Sequence, residues 1–245
     1  MTNPLIDTIV MSLEAQANPE RAEQQQQYMK SPMPFYGVTV PEVRRLTKVA
    51  LRDHPLESRK EFEATIRSMW DDAARREEWY ATLTVATASR HRPFIDAASM
   101  PLFRHLIESG AWWDVVDDVA THLVGPLVVS SRAAGAPELS DLMRRWAKED
   151  NIWLARTAVL CQVGAKEDVD QSLLADVLEP NLTRKEFFLR KAIGWALRDY
   201  ARVNPEWVRR YVEEHRSTLS GLSMREATKH LTGPDCLKPP IVTDE

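Results

Sequence analysis

Trp113 and Asp117 stand four residues apart within Ala111-Trp-Trp-Asp-Val-Val-Asp-Asp-Val-Ala120. Read as a helix, this stretch gathers Trp112, Val115, Val116 and Val119 on one side and stacks Trp113 over Asp117 on another. A carboxylate beside an indole can stabilise a cation, the carboxylate by its charge and the ring face by its quadrupole. Alone, the pair equally describes a buried tryptophan and a solvated aspartate. Two further tryptophans lend it weight: Trp153 follows Trp113 by 40 residues, and Trp195 follows Trp153 by 42. Arg156 lies one turn past Trp153, and Lys191 and Arg198 flank Trp195 at helical spacing. One carboxylate, several rings and several cations would meet, with no His or Cys among them. That constellation excludes Ser-His-Asp and Cys-His nucleophilic schemes and transition-metal sites, and no glycine-rich phosphate loop is present.

The elements that must position these residues are helices. Of 245 residues only 8 are glycine while 44% are hydrophobic and 28% charged, a globular composition suited to helix throughout. Helices are predicted over about 5–15, 20–29, 40–52, 59–70, 74–88, 100–109, 112–124, 138–147, 152–163, 169–178, 184–203, 206–215 and 224–231. Gly125-Pro126 reads as the end of the seventh. Thr39-x-x-Glu42, Ser58-x-x-Glu61, Thr183-x-x-Glu186 and Ser223-x-x-Glu226 fit capping boxes, and Pro41, Pro101 and Pro205 fit first turns. Short helices joined by short links, with tryptophans about 40 residues apart, give an all-α solenoid of HEAT-like (ARM-type) pairs whose inner helices line a concave groove. The reading is one domain over 1–232 and a Pro-rich tail over 233–245.

Net charge is −4, which by itself speaks against nucleic-acid binding. The span 184–229, however, holds 11 Lys/Arg against 6 Asp/Glu, a net of +5, so the remainder carries −9. Cys161 and Cys236 lie far apart with no CxxC pairing, which indicates neither a disulfide framework nor a zinc site, and Cys161 reads as a small core hydrophobe. With neither a leader nor a membrane-length apolar run, the expected location is the cytoplasm. No His shows ligand spacing, and His122 reads as a packed or satisfied helix residue. Tyr28 reads as core, with the groove as its other possible place.

Trp112-Trp-Asp-Val-Val-Asp117, Asn151-Ile-Trp-Leu-Ala-Arg-Thr-Ala158 and Arg190-Lys-Ala-Ile-Gly-Trp-Ala-Leu-Arg-Asp-Tyr200 resemble segments of the DNA alkylation repair enzymes of the AlkD type. So do Met33-Pro-Phe-Tyr-Gly-Val38 and Ser220-Gly-Leu-Ser-Met-Arg-Glu-Ala227, and the order matches over roughly 20–231. The resemblance implies a HEAT-like repeat glycosylase that removes cationic N3- and N7-alkylated purines from double-stranded DNA without extruding the base. It places Asp117, Trp113 and Trp195 at the lesion and Arg156 on the DNA backbone; Lys191 and Arg198 suit phosphates, and Trp153 and Tyr28 complete the candidate DNA contacts. An alkylated purine already carries positive charge and leaves without a general acid, so one carboxylate suffices. No lysine is placed for a Schiff base, so the activity would be monofunctional, in a monomer without cofactor or metal. The other readings are a DNA-binding repeat protein that has lost activity and a protein-binding scaffold.

Overall fold

A computed structural model describes residues 3–231, and among these every regular element is helical. The chain divides into two compact units, one ending at Leu102 and one beginning at Phe103. The expected 233–245 tail and Cys236 lie outside the described residues.

The first unit contains α1 (Pro4–Ala15), α2 (Pro19–Met29), α3 (Val40–Asp53), α4 (Arg59–Asp71) and α5 (Arg76–Ala86), then 3-10 turns over Ser89–Phe94 and Ala97–Ser99. Helix α5 packs against α1, α3 and α4, and nearly all of it is buried, Glu77 included. A buried carboxylate needs donors. Glu77 Oε2 accepts from Tyr36 N at 2.9 Å, and its Oε1 accepts from Gly37 N at 2.8 Å and Val38 N at 3.1 Å. Three backbone N–H groups of the 30–39 loop are thereby fastened to α5.

The second unit carries α6 (Met100–Gly110), α7 (Trp113–Val119), α8 (Gly125–Ala133), α9 (Glu138–Trp146), α10 (Ile152–Leu160), α11 (Gln171–Leu178), α12 (Phe187–Tyr200), α13 (Pro205–Glu214) and α14 (Gly221–Thr228). Helix α7 packs on α10, α10 on α12 and α12 on α14, while α8 packs on α9 and α9 on α11. Like helices of successive pairs are therefore neighbours, as a helical-repeat protein requires. Leu160, Leu174, Leu178, Leu189, Ile193, Leu197, Val208 and Val212 fill the spaces between them.

Gly125-Pro126 does not end the helix, contrary to expectation. A π turn over Ala120–Val124 joins α7 directly to α8. Pro126 has no N–H to donate and its ring crowds the carbonyl four residues back; the wider turn relieves both. Gly125 N–H reaches back five residues to the Ala120 carbonyl. Position 125 admits no side chain, because a Cβ there would lie 2.6 Å from the Cys161 carbonyl oxygen.

The capping boxes hold only in part. Ser58 accepts from Glu61 N, but Glu61 reaches Glu57 N rather than Ser58 N. Thr39 precedes α3 without capping it, and Glu42 turns to Arg45. Glu186 stands at the N-cap position of α12 but gives its carboxylate to Arg184, while α14 starts earlier than expected, capped by Ser220. Arginines take the glutamates that the caps would have used.

Helices α12 and α14 touch at Gly194, where a Cβ would lie 2.5 Å from Glu226 Cβ and 2.8 Å from the Ser223 carbonyl. At an open helix position Gly→Ala stabilises by about 1 kcal/mol. Here the sign reverses: Gly194→Ala lowers unfolding free energy by about 1–3 kcal/mol, the usual cost of overpacking, measured by urea denaturation.

Candidate active site

Helix α7 begins on a strained approach. Ala111 sits at φ +34, which costs a residue with a Cβ about 1–2 kcal/mol, and Trp112 is the extended N-cap. The two adjacent indoles then part company. Trp112 packs inward, its ring centroid 6.0 Å from Trp153 and 5.2 Å from Phe188. Trp113 lines a cavity of about 780 Å³ together with Asp117 from α7 and Trp195 from α12. The three residues placed together from sequence thus border one space, and the choice of Trp113 over Trp112 agrees with its four-residue partnership to Asp117.

Asp117 is held from the far side. Arg156 Nε donates to Oδ1 at 2.6 Å and Nη2 to Oδ2 at 2.8 Å, a bidentate grip. Arg156 Nη1 donates to the Phe188 carbonyl. Arg156 is only 5% exposed and Asp117 18%. Burial pushes the Asp117 carboxyl above its usual value, and the guanidinium opposes that rise.

Three expectations need correction. In this structure Arg156 is not presented to a DNA backbone: its guanidinium is buried and committed to Asp117 and Phe188. Trp153 is a buried member of the Trp112–Phe188 aromatic cluster, with no face to offer DNA. Tyr28 is 77% exposed on α2 rather than core. His122 is satisfied rather than packed, the second of the two expected states: its side chain is 60% exposed, with Nδ1 3.0 Å from Asp118 Oδ1. Of the two flanking cations, Lys191 is exposed with Nζ 5.9 Å from the Phe187 ring centroid, whereas Arg198 pairs with Glu226. Cys161 is a buried free thiol whose pKa burial pushes up to about 12.

Sequence reasoning missed the rest of the cavity wall: Asp114, Asp118, Thr121, His122, Pro126 and Val129 among others. The signal was a strict four-residue rhythm. Apolar pairs recur at 115–116, 119–120, 123–124 and 127–128, and the pairs between them face the cavity. Among the described residues no cluster of His, Cys, Asp and Glu could hold a metal ion. No helix there is long and apolar enough to cross a membrane.

Residues 9–231 match the family model described as DNA alkylation repair enzyme. The chain belongs to that family. A similar solved structure is a predicted DNA alkylation repair enzyme from Enterococcus faecalis, 30% identical, with a TM-score of 0.78, covering 88% of this chain and 97% of the other. No curated protein matches. Family membership gives this DNA alkylation repair enzyme a role in alkylation repair, with DNA as the partner that role requires. In such an enzyme, a cavity that sets the Arg156-held carboxylate of Asp117 beside two indoles is the place to look for chemistry.

Removing one partner of a buried ion pair strands the other. Arg156→Ala in this repair enzyme costs about 3–5 kcal/mol of stability at neutral pH. The cost shrinks on acidification, because a partnerless Asp117, already raised by burial, rises further and sheds its charge by taking up a proton. Comparing wild-type and variant denaturation at pH 8 and pH 5 checks both sign and size.

Proposed function

We propose that this enzyme is a monofunctional DNA glycosylase of the AlkD type. It excises cationic N3- and N7-alkylated purines, such as 3-methyladenine and 7-methylguanine, from duplex DNA without turning the base into a pocket. The observation that carries the reading is the meeting of Asp117 with the Trp113 and Trp195 rings at one cavity, in a chain of the DNA alkylation repair family. The remaining elements of the proposal are a single HEAT-like array over 1–232, a monomer acting in the cytoplasm in base excision repair, and a concave groove for the duplex.

The chemistry asks little of the protein. As the bond from C1′ to the purine nitrogen breaks, its electron pair moves to the nitrogen and cancels the base's positive charge. The charge passes to the sugar as an oxocarbenium-like cation. Asp117, ionised by its pairing with Arg156, stabilises that cation and orients the water that adds to C1′. The water's proton leaves to the carboxylate or to solvent. The indoles pack on the sugar and attract its growing charge. Arg156 serves as the positioning residue: its fork fixes the carboxylate plane and leaves the remaining lone pairs for the substrate side.

Purified protein is expected to release 3-methyladenine or 7-methylguanine from methylated duplex, and Asp117→Asn to slow single-turnover release by about 10²–10³-fold. Equal release by both proteins removes the site assignment, and no release by wild type favours a binding-only protein. The rate rises with pH along an acid limb set by Asp117. That limb lies above the ordinary aspartate value because burial raises the carboxyl. Arg156→Gln moves it higher still, by removing the group that stabilises the charged form; rate–pH profiles of the two proteins measure the shift.

A further inference from the structure

Phe187 is 52% exposed at the first position of α12, and among the described residues from 103 onward it is the exposed large aromatic. It is not a loose surface ring. Phe188 meets it edge-on at 5.4 Å, and Phe188 packs in turn on Trp112 and Trp153. The ring thus stands on a packed, half-buried aromatic base anchored by buried Trp153, which lowers the entropy cost of using it in binding. Lys191, one turn on, holds Nζ 5.9 Å from its centroid and makes no ion pair among the described residues.

Phe187, Lys191 and Trp195 follow at four-residue steps, so they share one side of α12. Trp195 reaches the cavity. Eight residues of helix separate Phe187 from Trp195 by about 12 Å. The minor groove of B-DNA is about 6 Å wide between its walls, so a helix side of that length spans both strands. A rigid apolar ring beside a cation has the composition of a wedge that enters between base steps while the cation neutralises a phosphate.

We propose that Phe187 is an apolar wedge against the unmodified strand opposite the lesion, with Lys191 on the adjoining phosphate. The proposal rests on duplex DNA as the substrate, and places Trp195 and Phe187 on opposite sides of one groove. The wedge unstacks the unmodified strand locally, giving the damaged nucleotide room to shift toward Asp117 without leaving the helix.

The test uses the full chain and a duplex carrying 2′-fluoro-7-methyldeoxyguanosine, whose glycosidic bond resists cleavage. 2-Aminopurine is placed in the unmodified strand beside the opposing nucleotide. Wild type is expected to raise 2-aminopurine fluorescence on binding. Phe187→Ala abolishes the rise and weakens binding about 5- to 150-fold, the range for losing one aromatic contact with a base; Phe187→Trp keeps both. Lys191→Ala keeps the rise and lowers the salt slope by about one counterion. The ring is exposed, so Phe187→Ala keeps the wild-type melting transition. Equal binding and equal fluorescence in wild type and Phe187→Ala overturn the proposal. If wild type binds and unstacks this duplex yet releases no base from ordinary methylated DNA, the glycosylase reading falls and the wedge stands. If wild type binds no duplex, both fall.

Discussion

The buried pair of Asp117 and Arg156 is the constraint around which the second unit is arranged. A carboxylate this far from water is expensive unless a hydrogen-bonded cation accompanies it. The cation comes from α10, and its remaining donor is spent on the carbonyl of Phe188 at the start of α12. Three helices that neighbour one another through apolar packing are thereby also fixed in rotation. Packing alone tolerates sliding by a fraction of a turn, whereas a bidentate fork does not. Apolar residues of similar volume would cost less to bury, so the pair is better explained by what its geometry holds than by stability.

The same geometry explains the π turn. Along α7 and α8 both the buried and the cavity-facing positions repeat every four residues, whereas an α-helix turns once in 3.6. A four-residue stripe drifts by about 40° per step, and over the stretch from Trp113 to Val129 that drift would carry one end of the stripe away from the cavity. One wider turn between Ala120 and Val124 takes up much of it. Pro126 excludes the ordinary turn and Gly125 lets the helix close onto the Cys161 carbonyl. The dipeptide that reads in sequence as a stop is the device that keeps the helix going.

Legibility followed the range of the interaction. Trp113 and Asp117 were found because four-residue spacing is local and its consequence is fixed. The all-α repeat was legible from composition, prolines and the even tryptophan spacing, which placed α7, α10 and α12 as successive neighbours. Arg156 was placed correctly on the second of these, but its role was misjudged. Its partner lies 39 residues away, and nothing local separates an arginine aimed at a carboxylate from one aimed at a phosphate. Trp153 failed for the complementary reason: the even spacing shows that two tryptophans occupy equivalent helices, not that they face the same way around them. Glu42 and Glu186 show the rule at short range and Glu226 at long range, arginines out-competing backbone caps for the carboxylate in each case.

Charge also takes on a different meaning once the pairs are drawn. Several of the basic residues over 184–229 are answered locally: Arg184, Arg198, Arg209 and Arg216 each have a glutamate. The gross count of 11 therefore overstates the cations open to a phosphate backbone, and what remains is the net excess of +5, with exposed Lys191 beside Phe187 part of it. The cavity itself carries Asp114, Asp117 and Asp118 on its wall. On the proposed reading, that field favours a cationic base and opposes a phosphodiester. A duplex would then have to be held at the edges of the cavity, with only the damaged nucleotide brought to the carboxylate. On that reading an acidic protein serves DNA because attraction to the backbone and attraction to the lesion are carried by different residues.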